Sequence, residues 1–257
     1  MEQSSERGDE RYAAVRQYSL AEILAVWAAA AVPMGVLAWV VAPWLRDQLG
    51  GNQPLGQALL ILLTLGLIWQ FVLVMILARR ELGTLQWSRL RDALWLRSPR
   101  DPKTGRVGGR VWWWLFLFIF IIALEQALPG ISGPSPRDFG EFLDSDAGKD
   151  FFRGAWGWYA VVVVLVIFNT VLGEELIFRG LLLPRMRGVF GRGDWVANGV
   201  LFAAYHLHTP WVIPTALVDI FALSYPSRRF QSAWMGIIVH STQSVVILIV
   251  VLTVVLG

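Results

Sequence analysis

Gly173-Glu174-Glu175-Leu176-Ile177-Phe178-Arg179 puts two carboxylates and a guanidinium inside an apolar run. Ahead of it lies Tyr159–Phe168, without a polar residue after the tyrosine, and behind it Leu181-Leu182-Leu183. A charged side chain near the centre of a bilayer costs at least ~2.5–3.5 kcal/mol on insertion scales, so such residues face a bundle interior or a wet cavity and mark function. The competing explanation is a helix-end cluster at the membrane surface, with Glu175 and Arg179 as an i,i+4 pair.

The rest of the chain fits a membrane setting. Of 257 residues, 56% are hydrophobic, and fourteen Trp with fourteen Phe suit interfacial aromatic belts. The absence of cysteine excludes disulfides, thiolate catalysis and cysteine-ligated metals. No nucleic-acid motif is present. The expected fold is all-α, a polytopic bundle of about seven to eight membrane helices. Residues 1–19 form a polar cytoplasmic tail, and residues 20–257 a single transmembrane domain. Expected spans cover about Leu20–Leu45 (kinked at Pro33), Leu55–Ala78, Val111–Leu128, Trp156–Pro184, Trp195–Leu207, Trp211–Tyr225 and Ala233–Leu256. Asp194 is placed to cap the fifth, and Glu125 and Gln126 read as interfacial.

Residues 79–110 carry nine Lys/Arg among Leu82, Leu85, Leu90, Leu94, Trp87 and Trp95. They read as an amphipathic helix on an anionic leaflet or as a solvated basic loop, cytoplasmic in both cases. With the N-terminus inside, inner segments hold 18 Lys/Arg and outer segments 4, which accounts for all 22. That asymmetry orients the N-terminus to the cytoplasm and the C-terminus outward.

The three histidines are His206, His208 and His240. Counting inward from the cytoplasmic span ends at ~1.5 Å per residue, Glu174 and His206 lie ~16 Å deep and His240 ~14 Å. Three polar groups from three spans therefore share one layer. His208 beside Pro210 reads as peripheral. One carboxylate and two imidazoles can activate water for attack on a carbonyl. They can also hold a metal, with Glu174, His206 and His240 as the two-His, one-carboxylate shell and zinc as the ion. The reading without a bound metal or cofactor is favoured, because no residues that would orient the histidine rings are evident in the sequence. Glu175 has Arg179 one turn on, whereas Glu174 projects about 100° away without that partner, so Glu174 is the candidate base.

Glu174-Glu175-x-x-x-Arg179, Phe202-x-x-x-His206 and the final motif opened by His240 resemble the CPBP family, the CAAX-prenyl-protease and bacteriocin-processing (Abi) intramembrane proteases. The resemblance covers about residues 155–250, the expected catalytic core. It implies that Glu174 and His206 activate water, that Glu175 and Arg179 shape the site, and that His240 stabilises the oxyanion. In one place the chain departs from the family. Where Asn or Asp is usual, this sequence has Ser244, so Ser244 or Gln243 becomes the candidate oxyanion donor, with Phe202 in support. The implied protein is an intramembrane endopeptidase of the plasma membrane, using a glutamate or metallo mechanism. Its partners would be membrane lipids and a peptide or protein substrate, lipid-modified in the family's eponymous case. A non-proteolytic scaffold or immunity protein is the alternative, and a proton-coupled transporter a more distant one. Reporter fusions after residue 105 and after residue 257 should report opposite sides of the membrane; finding both in the cytoplasm would refute an odd number of crossings.

Overall fold

The structure is a computed structural model that describes residues 15–125 and 128–257. Most of the expected tail, and Gln126, therefore lie outside the described residues. What is described is helical, with one isolated bridge between Arg100 and Val107 and no strand. In chain order the helices of six or more residues are α1 (Leu20–Arg46), α2 (Pro54–Leu82), α3 (Trp87–Ala93), α4 (Trp114–Glu125), α5 (Phe139–Asp144), α6 (Asp146–Phe152), α7 (Trp156–Arg185), α8 (Asp194–Tyr205), α9 (Tyr225–Phe230) and α10 (Ala233–Leu256).

Four of these, α1, α2, α7 and α10, are long and apolar enough to cross a membrane. The other three expected spans are shorter pieces. α4 and α8 have 12 residues each, about 18 Å of helix against a hydrocarbon core of about 30 Å. Residues 210–230 divide into short turns at Pro210–Val212, Thr215–Val218 and Ile220–Ser224 before α9. Pro210, Pro214 and Pro226 punctuate that stretch, and each removes a backbone donor. Hydropathy alone merges such fragments into spans.

α1 starts on a capping box. The Ser19 hydroxyl accepts from the Glu22 N–H, and the Glu22 carboxylate accepts from the Ser19 N–H. Pro33 lacks the N–H that would bind the Ala29 carbonyl, and the Trp69 indole of α2 donates to that carbonyl at 2.9 Å. A π-helical turn at Leu37–Val41 follows. α2 and α7 approach closely at Gly173, where a Cβ would lie 3.1 Å from the Leu67 carbonyl oxygen. Asp194 is the first residue of α8 and does not act as its cap. Its buried carboxylate accepts from the Trp195 N–H and from Arg228 Nε at 2.9 and 2.7 Å.

The core joins Leu67 and Val74 of α2 to Ile177, Phe178, Phe202, Tyr205 and Val239. Outside, Trp44, Trp113, Phe116, Phe120, Val246 and Ile249 stay exposed and form an apolar surface suited to lipid. The apolar face read for residues 79–110 divides. Leu85 and Trp87 are exposed, but Leu90, Leu94 and Trp95 are buried in the main core. Trp95 adopts φ 51°, in the left-handed region, and its carbonyl accepts from the first N–H of α10 at 2.8 Å. Part of the basic segment is thereby clamped to the start of the last helix.

A buried ion pair ties the bundle together at the end of α7. Arg185 donates from Nε and Nη2 to Glu81 of α2, both at 2.9 Å, and from Nη1 to the carbonyls of Ala93 and Leu181. Tyr18 donates to the same carboxylate at 3.3 Å. Burial, aided by that carboxylate, pushes the Tyr18 hydroxyl up to about 12, so it remains a donor at neutral pH. Breaking a buried pair by removing one partner costs about 3–5 kcal/mol. Arg185→Ala should destabilise the purified protein by about that much, read as a lowered midpoint in thermal or denaturant unfolding. Glu81→Gln should cost less, because the amide oxygen still accepts from the guanidinium.

Candidate active site

α7 departs from α-helical geometry around the charged stretch. It is α-helical over Trp156–Ile167, π-helical over Phe168–Gly173 and again over Leu176–Leu182, with Glu174-Glu175 between the π segments. π-Bulges recur at functional sites because they redirect side chains without ending the helix. Glu174 is 2% exposed, and Glu175 and Arg179 are fully buried. The charged cluster is therefore inside the protein, and a surface helix-end pair does not describe it.

Glu175 serves two partners from one oxygen. Its Oε1 lies 3.0 Å from Arg179 Nη1 and 3.1 Å from His240 Nδ1. The Arg179 guanidinium lies over the Phe202 ring, 4.0 Å from the centroid, a cation–π contact inside the bundle. Gly236 of α10 makes this fit possible. A Cβ there would stand 2.5 Å from Glu175 Oε2 and 2.8 Å from Ser227 Oγ.

His206 ends α8, and its Nδ1 lies 3.0 Å from the Phe202 carbonyl oxygen. A carbonyl only accepts, so Nδ1 carries the proton and Nε2 keeps its lone pair. Both catalytic candidates meet the Phe202 ring edge-on, His206 at 5.1 Å and His240 at 6.0 Å between centroids. Phe202 thus sets the two imidazoles and Arg179 around one ring. Glu174 lies within interaction range of the Tyr205 hydroxyl and within electrostatic reach of His240. Behind it, Gln70 of α2 donates to the Tyr205 oxygen at 2.7 Å. His208 stacks on His206 at 5.6 Å.

The other sequence candidates separate. Ser244 is buried one turn beyond His240. Gln243 Nε2 donates to Glu125 Oε2 at 2.9 Å. Glu125, read from the sequence as interfacial, instead lies within electrostatic reach of His240 and of Asp219. Asp219 is buried, and its Oδ1 has no hydrogen-bond partner among the described residues. Sequence reasoning also missed Gln70, Tyr205 and Asn198. Asn198 donates to the Phe178 carbonyl at 2.9 Å and accepts from Ser224 at 3.0 Å, supporting the second π segment. A polar residue in an otherwise apolar segment was the available signal for Gln70 and Asp219.

The histidine orienters that the sequence did not reveal are present: the Phe202 carbonyl for His206 and Glu175 for His240. Even so, among the described residues no three His, Asp or Glu side chains are grouped closely enough to hold one metal ion.

Residues 156–246 match the family model described as type II CAAX prenyl endopeptidase Rce1-like. This segment is Rce1-like. It begins with the first residue of α7 and ends six residues past His240, so it encloses the Glu-Glu-Arg stretch, Phe202, both catalytic histidine candidates and Ser244. Gln70 and Glu125 lie outside it. No curated protein and no solved structure matches the chain. Together the Rce1-like match and the four span-length helices support an integral membrane protein and, at a coarse level, a hydrolase.

Arg179→Ala should strand Glu175 in a dry interior and release one side of Phe202. The expected cost is about 3–5 kcal/mol, seen as lowered thermal stability in detergent. Arg179→Met paired with Glu175→Gln should recover most of it, because no uncompensated charge remains; a double variant as unstable as Arg179→Ala would show that the pair is not what the site depends on.

Proposed function

We propose that this protein is an intramembrane endopeptidase that hydrolyses a peptide bond with water activated by Glu174. The observation carrying this reading is the gathering of Glu174, His206 and His240 from α7, α8 and α10 around Phe202 and Tyr205, inside the Rce1-like segment. Glu174 takes one proton from water as the water oxygen bonds to the carbonyl carbon, while the free Nε2 of His206 accepts a hydrogen bond from the other O–H. The carbonyl electron pair moves onto oxygen. His240, doubly protonated and anchored by its Nδ1–H on the Glu175 carboxylate, donates to that oxyanion from Nε2–H, with the Ser244 hydroxyl as a second donor. As the C–N bond breaks, the proton held at the site passes to the departing nitrogen, leaving a free carboxylate and an amine.

By the family's name the substrate class is a prenylated CAAX protein, whose lipid would approach from the apolar surface while its peptide enters from the cytoplasmic side. The protein would sit in the plasma membrane with its N-terminus in the cytoplasm. One observation favours the scaffold reading as an alternative. Ser244 stands where the family has Asn or Asp, and the neighbouring Gln243 amide is engaged by Glu125.

Comparative membrane proteomics of wild type and Glu174→Gln, with cleavage of a farnesylated CAAX peptide by the reconstituted protein, separates the two readings. Loss of a general base typically costs 10²–10⁴-fold, so turnover should fall by about that factor at unchanged thermal stability. Full turnover in Glu174→Gln would refute the base assignment, and a wild type that cuts nothing would favour the scaffold. This mechanism uses no resident metal. One zinc per purified chain, lost in His206→Ala, would overturn that part of it.

A further inference from the structure

We infer that Gln70 and Tyr205 form a one-way chain of donors that holds Glu174 in position for catalysis, so that α2 supplies part of the machinery. The inference rests on the reading of Glu174 as the base and concerns residues with no role in the motifs. Gln70 and Tyr205 are fully buried and stand 135 positions apart in the chain.

The direction of the chain follows from the chemistry of its members. Gln70 Nε2 lies 2.7 Å from the Tyr205 oxygen, and a Tyr hydroxyl has one proton to give. With the amide donating to its oxygen, that proton is left for the neighbouring Glu174 carboxylate, which interacts with the Tyr205 hydroxyl. Each donor polarises the next, so the bond arriving at the carboxylate is stronger than an isolated hydroxyl would make. One Glu174 oxygen is thereby occupied and the other left to meet water.

A contact that merely glued helices together would use both ends of the buried amide. Gln70 Oε1 has no hydrogen-bond partner among the described residues, so Gln70 acts here as a donor only. Burying an amide in an apolar helix is costly unless it is bonded, and the bond this one makes leads to the candidate base.

Tyr205→Phe and Gln70→Met keep volume while removing one donor each. The first test needs no substrate. The chain has five tyrosines, and in protein labelled with ¹³Cζ-tyrosine in lipid nanodiscs the Tyr205 resonance is the one missing from Tyr205→Phe. It should move in Gln70→Met and in Glu174→Gln; a resonance unmoved by either would overturn the donor chain. The second test is turnover of a farnesylated CAAX peptide. Each variant should lower kcat by about 10- to 100-fold, the worth of one hydrogen bond to a charged group, with KM unchanged. The double variant should be no slower than Tyr205→Phe, because both act through one bond. Additive losses, or losses in KM alone, would refute the positioning role. If wild type leaves the peptide uncut, the protease reading fails while the resonance still decides whether the donor chain exists.

Discussion

The site is built on one fully buried ion pair, Glu175 and Arg179, whose carboxylate and guanidinium meet at 3.0 Å inside the bundle. Such a pair is a poor source of stability, since apolar residues of the same volume often do as well or better. What it provides is position. Glu175 reaches Arg179 and His240 from a single oxygen, and Arg179 rests on Phe202, the ring that both catalytic histidine candidates touch. With Gly236 pressed against the carboxylate, α10 cannot slide along α7 without breaking these contacts. The ion pair thus sets the register between the helix that carries Glu174 and the helix that carries His240.

The same device recurs at the rim. Arg185 with Glu81 joins α7 to α2, to the end of α3 through the Ala93 carbonyl, and to Tyr18 ahead of α1. Asp194 with Arg228 joins the start of α8 to α9, and Asn198 links α8 to Ser224 and to the Phe178 carbonyl. Between apolar helices in lipid the hydrophobic effect supplies little association energy, so close packing at glycine and polar contacts take over. This explains how α8 and the turn-rich residues 210–230, too short or too broken to be independent spans, are held firmly enough to present His206.

The acidic residues beyond His240 give the site a second side. Glu125 comes from α4 and Asp219 from the turn leading to the π segment Ile220–Ser224, and both lie within electrostatic reach of His240. His240 is therefore approached by carboxylates from three elements. Gln243, which helical spacing after His240 offered as an oxyanion donor, is drawn to one of them. Gln243 and Glu125 meet in space, though 118 positions separate them.

Sequence alone determined the class of the protein, its four long helices and the motif positions in the segment that matches the Rce1-like family. These are properties of local composition and spacing: an apolar run long enough to span, a charge where no charge is cheap, a histidine four residues after a phenylalanine. It did not determine how many segments are full spans, because hydropathy averages over prolines and turns that break the helix without making it polar. Nor did it show that Trp69 answers Pro33, that Gln70 reaches Tyr205, or that Glu125 and Asp219 come within electrostatic reach of His240. Each of those joins residues from different helices, and no periodicity within one helix records which face a distant helix will present. Only the tertiary packing decided them, since a buried polar group in an apolar bundle takes whatever partner the neighbouring helix brings within hydrogen-bond reach.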